Sequence, residues 1–155
     1  MKLGRILNKK LNTAIADMGH GDILVICDAG FPIPSDEQRI DLALEQDVPT
    51  IEQVLDLVLS DLCYEKVLVA AELKEFNRPL YNAVERICDR CPVSTLPYSE
   101  FMATVPRAAK YIVRTGAFNP YGNIALTSAV DAPKWFSKPG LVVPDVYKDR
   151  MGGTR

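Results

Sequence analysis

The sequence has no long apolar run, no marked excess of charge of one sign and only one histidine in 155 residues. No stretch approaches the roughly 18 apolar residues that a membrane-spanning helix needs, and no apolar segment follows the basic N-terminus as in a signal peptide. A formal net charge of -2 provides no basic patch for nucleic acid or for an anionic membrane. We therefore expect a cytoplasmic protein with neither a nucleic-acid nor a membrane partner.

Signatures of bound cofactors are also scarce. Four cysteines in a chain of this length are not the framework of a small secreted protein, so reduced thiols are expected. Cys88 and Cys91 form a lone Cys-x-x-Cys at the predicted C-terminal end of a helix, which favours packing over redox chemistry because the helix dipole there does not activate a thiol. Zinc is disfavoured, since no second pair exists and His20 is far along the chain. No glycine-rich nucleotide loop follows an apolar run, so no cofactor or metal is expected.

Apolar spacing alternates between helix and strand patterns along the chain. The clearest helix begins at a capping box at Thr50, and another begins at Asn77 with Pro79 in its first turn. An earlier helix is expected to end with Gly19 as its left-handed cap. Apolar runs predict buried strands over 23–27, 66–71, 93–96, 111–113 and 124–130, and a short strand around 40–44. The alternation predicts a three-layer α/β/α fold with a mostly parallel, Rossmann-like sheet of about six strands.

The composition changes after Val130, where proline recurs and the chain ends in polar residues. Residues 1–130 are therefore predicted to form one domain and residues 131–155 a C-terminal arm. Trp135, Phe136 and Val146 are the expected anchors of this arm, which we expect to dock on the domain or on a neighbouring subunit.

The single histidine, His20, lies between Gly19 and Gly21 and just before the first buried strand. Histidine is the side chain that ordinarily changes charge between pH 5 and 8. A lone histidine is more often structural than catalytic. Here the flanking glycines permit close approach of a ligand or a second backbone, which favours a functional role.

Two further segments carry candidate binding groups. Asp28 ends the strand 23–27 at its carboxyl end, where open α/β sheets bind ligands, although a turn or capping role also explains an aspartate there. Residues 119–123 read Asn-Pro-Tyr-Gly-Asn and are a turn by composition. Tyr121 and Asn123 are either turn residues only or neutral groups suited to sugar hydroxyls. Arg39 and Asp41 are expected to form an ion pair.

Taken together, four segments closely resemble the D-ribose pyranase and L-fucose mutarotase family, in the same order over residues 1 to 130. The segments are 18–22 (Met-Gly-His-Gly-Asp), 27–34 (Cys-Asp-Ala-Gly-Phe-Pro-Ile-Pro), 39–44 (Arg-Ile-Asp-Leu-Ala-Leu) and 121–124 (Tyr-Gly-Asn-Ile). The resemblance implies a cytoplasmic isomerase that interconverts the ring forms or anomers of a free monosaccharide such as ribose or fucose, without metal or nucleotide. It also implies a ring-shaped homo-oligomer, an octamer or a decamer.

The same resemblance assigns roles to individual residues. The catalytic histidine of the family falls on His20, its substrate-binding carboxylate on Asp28, and its tyrosine and asparagine on Tyr121 and Asn123, with Gly122 between them. Tyr98 stands where ribose pyranases carry histidine and fucose mutarotases arginine. The 39–44 segment is similar to the ribose branch, whereas 20–22 and 121–123 are similar to the fucose branch.

Opening a cyclic hemiacetal needs a proton delivered to the ring oxygen and one removed from the anomeric hydroxyl, which one acid/base such as His20 can do. If residues 20–28 were extended, His20 and Asp28 would lie about 25 Å apart at roughly 3.3 Å per residue. We therefore expect His20 of one subunit to meet Asp28, Tyr121 and Asn123 of its neighbour. The alternative is a sugar-binding or regulatory module of the same fold without catalysis.

Overall fold

The computed structural model describes residues 2–151; residue 1 of the predicted domain and residues 152–155 of the predicted arm lie outside the described residues. The helices are α1 (Lys9–Asp17), α2 (Ile51–Leu59), α3 (Ala71–Phe76), α4 (Arg78–Ile87), α5 (Tyr98–Ala108), α6 (Ala132–Trp135) and α7 (Asp145–Lys148). The strands are β1 (Ile23–Cys27), β2 (Arg39–Asp41), β3 (Tyr64–Ala70), β4 (Val93–Leu96), β5 (Ala109–Arg114) and β6 (Asn123–Ser128). Among the described residues, no helix is long and apolar enough to span a bilayer.

Local signals place most of these elements where the sequence predicts them. Thr50 and Gln53 form the capping box that begins α2, and the Asn77 side chain accepts from the Leu80 amide at the start of α4. The expectation for Gly19 is wrong: α1 ends at Asp17, its C-cap residue Met18 is extended, and the positive φ, 87°, is at Gly21. The chain leaves α1 directly into a turn, so no left-handed cap is formed.

The sheet contains six strands in the order β2-β5-β1-β6-β3-β4. Five strands run in one direction, and β6 is antiparallel to both of its neighbours, β1 and β3. The predicted mostly parallel sheet is confirmed with this one reversal. Because β6 is reversed, its first residue lies at the edge where the other strands end. We call this edge the carboxyl edge and the opposite one the amino edge.

Helices cover both faces of the sheet, as the three-layer prediction requires. Alternate residues of β1 point to opposite faces. Leu24 and Ile26 pack in a large core with residues of α1, α2 and α4, whereas Val25 and Cys27 pack in a smaller core with α5. Phe101 of α5 is completely buried in that smaller core. Both faces of the sheet are thus covered by helices, and loops lie at its amino and carboxyl edges.

The described part of the C-terminal arm carries the two short helices α6 and α7. Of its predicted anchors, Phe136 is half-buried and its ring lies 5.4 Å from that of Tyr147, centroid to centroid. Trp135 and Val146 are instead exposed. The arm reaches the sheet through Arg150, which forms an ion pair with Glu65 of β3.

Candidate active site

Register in the sheet brings Asp28 beside Asn123. Cys27, the last residue of β1, pairs with Asn123 on one side and with Arg114 on the other. Asp28 follows directly, and its amide donates to Oδ1 of the buried Asn123 at 3.3 Å. The carboxylate and the carboxamide named in the sequence therefore meet at the carboxyl edge, although they are far apart in the chain.

The carboxylate of Asp28 is partly withdrawn from water. Burial raises the pKa of Asp28, and hydrogen bonds from Gly30, Asn123 and Phe31 offset only part of that effect. The Gly30 amide donates to Asp28 Oδ1 at 2.8 Å, so the side chain also has the turn-forming role considered for it. A half-buried carboxylate in this position is a strong acceptor for a ligand hydroxyl, because fewer water molecules compete for it.

Two tyrosines complete this edge. The ring of Tyr98, at the start of α5, meets the ring of Tyr121 edge-on with centroids 5.2 Å apart. Burial raises the pKa of Tyr98, with smaller contributions from Asp28 and Tyr121. Its phenol therefore stays protonated at neutral pH. Tyr121 has a φ of 57° in the left-handed region, which is uncommon for a bulky residue and recurs at functional sites.

Gly122 is required because there is no space for a side chain at this position, and not because its backbone conformation requires glycine. A Cβ built at this position would lie 2.6 Å from Cδ1 of Ile51 and 2.9 Å from the carbonyl oxygen of Asn119. A glycine therefore lets the 119–123 turn approach the start of α2. Asp28, Tyr98, Tyr121, Gly122 and Asn123 together form what we call the carboxyl-edge cluster.

A shallow cavity of about 460 Å³ adjoins this cluster, lined by Asp28, Arg114 and the loop 117–120. Arg114 Nε donates to the carbonyl of Ala29 at 2.9 Å, and its Nη1 lies 3.0 Å from Asp41 Oδ2. The predicted ion pair between Arg39 and Asp41 is also present, at 3.6 Å. Asp41 is therefore paired with two arginines, and Asp28 is the acidic residue in the lining of the cavity.

His20 lies at the amino edge, on a tight turn. Two hydrogen bonds close the turn: the Asp22 amide donates to the Gly19 carbonyl at 3.1 Å, and the Gly19 amide donates to Asp22 Oδ2 at 2.8 Å. The imidazole is 42% exposed, and its Nε2 lies 3.1 Å from Glu65 Oε2. Arg150 Nη1 contacts the same oxygen. We call His20, Glu65 and Arg150 the amino-edge triad.

The structure thus gathers five of the six predicted site residues and leaves His20 at the other end of β1. Only residues 23–27 are extended, because residues 19–22 form the turn. The assumption that all of 20–28 is extended is therefore wrong in part. From Asp22 to Asp28 the chain still advances about 20 Å at ~3.3 Å per residue, so the two edges stay well apart.

Several residues of these edges were not singled out in the sequence. Glu72 Oε2 accepts from the Tyr98 amide at 2.9 Å, and the ring of Phe76 lies 5.9 Å from that of Tyr121. Both belong to α3, a helix without a sequence signal of its own. Glu65 pairs with a histidine 45 positions away, which no local pattern reveals. Across residues 2–151 no three His, Cys, Asp or Glu side chains are grouped as for a metal ion.

A carboxylate, two phenols and a carboxamide at the strand ends of an open α/β sheet are groups of the kind that bind small polar ligands, at the place where such sheets carry their sites. The chain belongs to the RbsD / FucU transport protein family, whose model matches residues 1–131. D-ribose pyranase 2 of Rubrobacter xylanophilus is 47% identical over 152 residues, which is 98% of this chain and 99% of that protein. That similarity therefore continues into the C-terminal arm.

Solved structures agree with this assignment. Bacillus subtilis RbsD complexed with D-ribose matches with a TM-score of 0.79 and 35% identity, over 84% of this chain and 98% of that one. Fucose mutarotase from Streptococcus pneumoniae, in complex with L-fucose, matches with a TM-score of 0.70 and 21% identity, over 84% and 99%. At that lower identity the second likeness shows a common fold.

Proposed function

We propose that this protein is a D-ribose pyranase that interconverts the pyranose and furanose forms of the free sugar. The observation that carries the proposal is the carboxyl-edge cluster, in a chain 47% identical over nearly its whole length to a protein named D-ribose pyranase 2. Ribose is favoured over fucose because the neighbour with bound D-ribose is 35% identical and the one with bound L-fucose 21%. The reduced cysteines expected of the chain support a cytoplasmic location.

In this proposal His20 is the acid/base. As the bond between the anomeric carbon and the ring oxygen breaks, it takes the proton of the anomeric hydroxyl, which becomes a carbonyl, and delivers a proton to the departing ring oxygen, which becomes a hydroxyl. Closure on a different hydroxyl runs the same two transfers in reverse, so no net proton is consumed. Asp28 accepts from a sugar hydroxyl, and Tyr98, Tyr121 and Asn123 orient the ring. Tyr98 suits a neutral sugar because its phenol both donates and accepts a hydrogen bond at neutral pH.

The separation of the two edges supports a site between subunits. His20 of one protomer would meet the carboxyl-edge cluster of its neighbour, and repetition of that contact generates a ring, which the family resemblance puts at eight or ten subunits. Phe76 and Phe118 flank the cluster and are 62% and 66% exposed. Large exposed apolar side chains around a polar site are typical of an interface. The arm, with Trp135 and Val146 exposed, adds apolar surface for the same assembly.

Ring exchange of D-ribose, measured by NMR saturation transfer between anomeric protons, tests the function. The protein should accelerate exchange, and His20→Gln should lower the catalysed rate by about 10²–10⁴-fold, the usual contribution of an acid/base, while sugar binding persists. Saturation transfer from protein to sugar without faster exchange would favour the non-catalytic module. A wild-type rate in His20→Gln would refute the assignment of the histidine.

A further inference from the structure

The amino-edge triad links the C-terminal arm to the histidine. Glu65 lies at the start of β3, and its carboxylate is only 11% exposed. Its Oε2 accepts hydrogen bonds from both His20 Nε2 and Arg150 Nη1. One carboxylate oxygen is thus shared by the proposed acid/base and by a cation delivered from residue 150, beyond the part of the chain that the family model matches.

This contact determines which imidazole nitrogen is available. An imidazole nitrogen that is hydrogen-bonded to a carboxylate carries the proton, so Glu65 selects the tautomer of His20 with hydrogen on Nε2. Nδ1 then holds the lone pair and is the atom able to exchange a proton with a sugar. Burial would raise the pKa of Glu65, but the hydrogen bonds from His20 and Arg150 outweigh it and hold that pKa below its usual range. Glu65 is therefore charged whenever His20 is in use.

Arg150 is itself fixed to the arm. Its guanidinium lies over the ring of Tyr147 of α7, 5.4 Å from the centroid. Together with Glu65 it lines a cavity of about 240 Å³ between the arm and the amino edge, where the other titratable groups are Cys63, Tyr64, Arg90, Cys91, Asp131 and Asp149. Two residues after His20 in the chain, Asp22 is paired with Lys110 at 2.9 Å, and Lys110 is also paired with Asp17.

We propose that Arg150 is a positioning residue for His20: it docks the arm onto Glu65, holds the carboxylate that orients the imidazole, and neutralises part of its charge. The inference rests on the proposed function, in which His20 moves the proton. Its consequence is that Glu65 and Arg150 affect the protonation of His20 in opposite directions. Glu65 stabilises the protonated imidazole, and Arg150 limits that stabilisation.

The test is the pH titration of the imidazole Hε1 resonance, which belongs to His20 alone because the chain has one histidine. Arg150→Met should move the midpoint upward and Glu65→Gln should move it downward, each by roughly half a pH unit, as expected for partly exposed ion pairs at fixed ionic strength. The pH at which the rate of ribose exchange declines on the acid side should move in the same direction as this midpoint. Arg150→Lys should restore the wild-type midpoint because it keeps the charge.

Lys148→Met is the matched control, since it removes a positive charge two residues before Arg150 in the same arm, one that is paired with Asp145 at 2.6 Å instead of with Glu65. It should leave the midpoint in place. The proposal is overturned if Arg150→Met leaves the midpoint unmoved, moves it in the direction of Glu65→Gln, or has no larger effect than Lys148→Met. The titration needs no activity, so a protein without ring exchange would refute the proposed function and still report on Arg150.

Discussion

Replacement of Thr115 by valine tests how the loop that carries Asp28 is held. Thr115 follows β5 and is completely buried. Its hydroxyl donates to the Cys27 carbonyl at 2.8 Å and accepts from the Ala117 amide at 3.2 Å. The Ala117 carbonyl in turn accepts from the Ala29 amide at 2.9 Å. One hydroxyl thus joins the ends of β1 and β5 on both sides of Asp28.

The cost of Thr115→Val follows from these bonds. Valine has nearly the same shape as threonine. The Cys27 carbonyl still accepts a hydrogen bond from the backbone amide of residue 115 at 3.0 Å. The buried Ala117 amide is therefore the one group that loses its hydrogen-bond partner. Such an orphaned donor costs about 1–3 kcal/mol, which lowers the melting temperature by roughly 2–12 °C in a chain of this size. Urea denaturation at fixed protein concentration measures the change in unfolding free energy.

Thr115→Ser is the control for that experiment. Serine retains both hydrogen bonds and lacks one buried methyl group, which costs about 0.8 kcal/mol of unfolding free energy. Hydrogen exchange separates the two variants, because the Ala117 amide should exchange faster in Thr115→Val and remain protected in Thr115→Ser. Wild-type stability of Thr115→Val, or equal protection of Ala117 in both variants, would refute the reasoning.

Two further predictions follow from the edges of the sheet. Gly122→Ala should destabilise the protein by about 1–3 kcal/mol through overpacking against Ile51 and slow ribose exchange; denaturation and exchange rates at the wild-type values would contradict the packing role of Gly122. A hydrogen bond from Tyr111 and then one from Lys110 lower the pKa of Asp17, and Lys110 lowers that of Asp22. Stability from these carboxylates is therefore present above their unfolded pKa and lost as pH falls through the folded one. Lys110→Met should flatten the decline in unfolding free energy below about pH 4; an unchanged slope would contradict the assignment.

The fold was largely predictable because its signals are local. The capping box at Thr50, the asparagine cap of α4 and the apolar run of β1 each act within a few residues, and each is present. The reversal of β6 was not predicted. Its signal is the connection 115–122, which contains no helix and is too short for a parallel crossover of a dozen or more residues.

The candidate site was predictable only in part, since its contacts join distant elements. Asp28 and the 119–123 turn could be recognised by strand ends and turn chemistry, and the sheet register then brings them together. Glu65 and Arg150 could not, because Arg150 lies 85 positions from Glu65 and a charged residue at a strand start is ordinary. Only the folded sheet shows that His20 has a carboxylate partner at the amino edge.

The site between subunits is the central claim, and co-assembly of two defective chains tests it most directly. His20→Ala and Asp28→Ala chains should each be inactive in ribose exchange. In equal mixture, random assembly in a ring pairs an intact His20 with an intact Asp28 at about one quarter of the interfaces. The account predicts that about a quarter of wild-type activity returns on mixing. Mixed assemblies that form, as mass measurement would show, yet stay as inactive as each chain alone would contradict it.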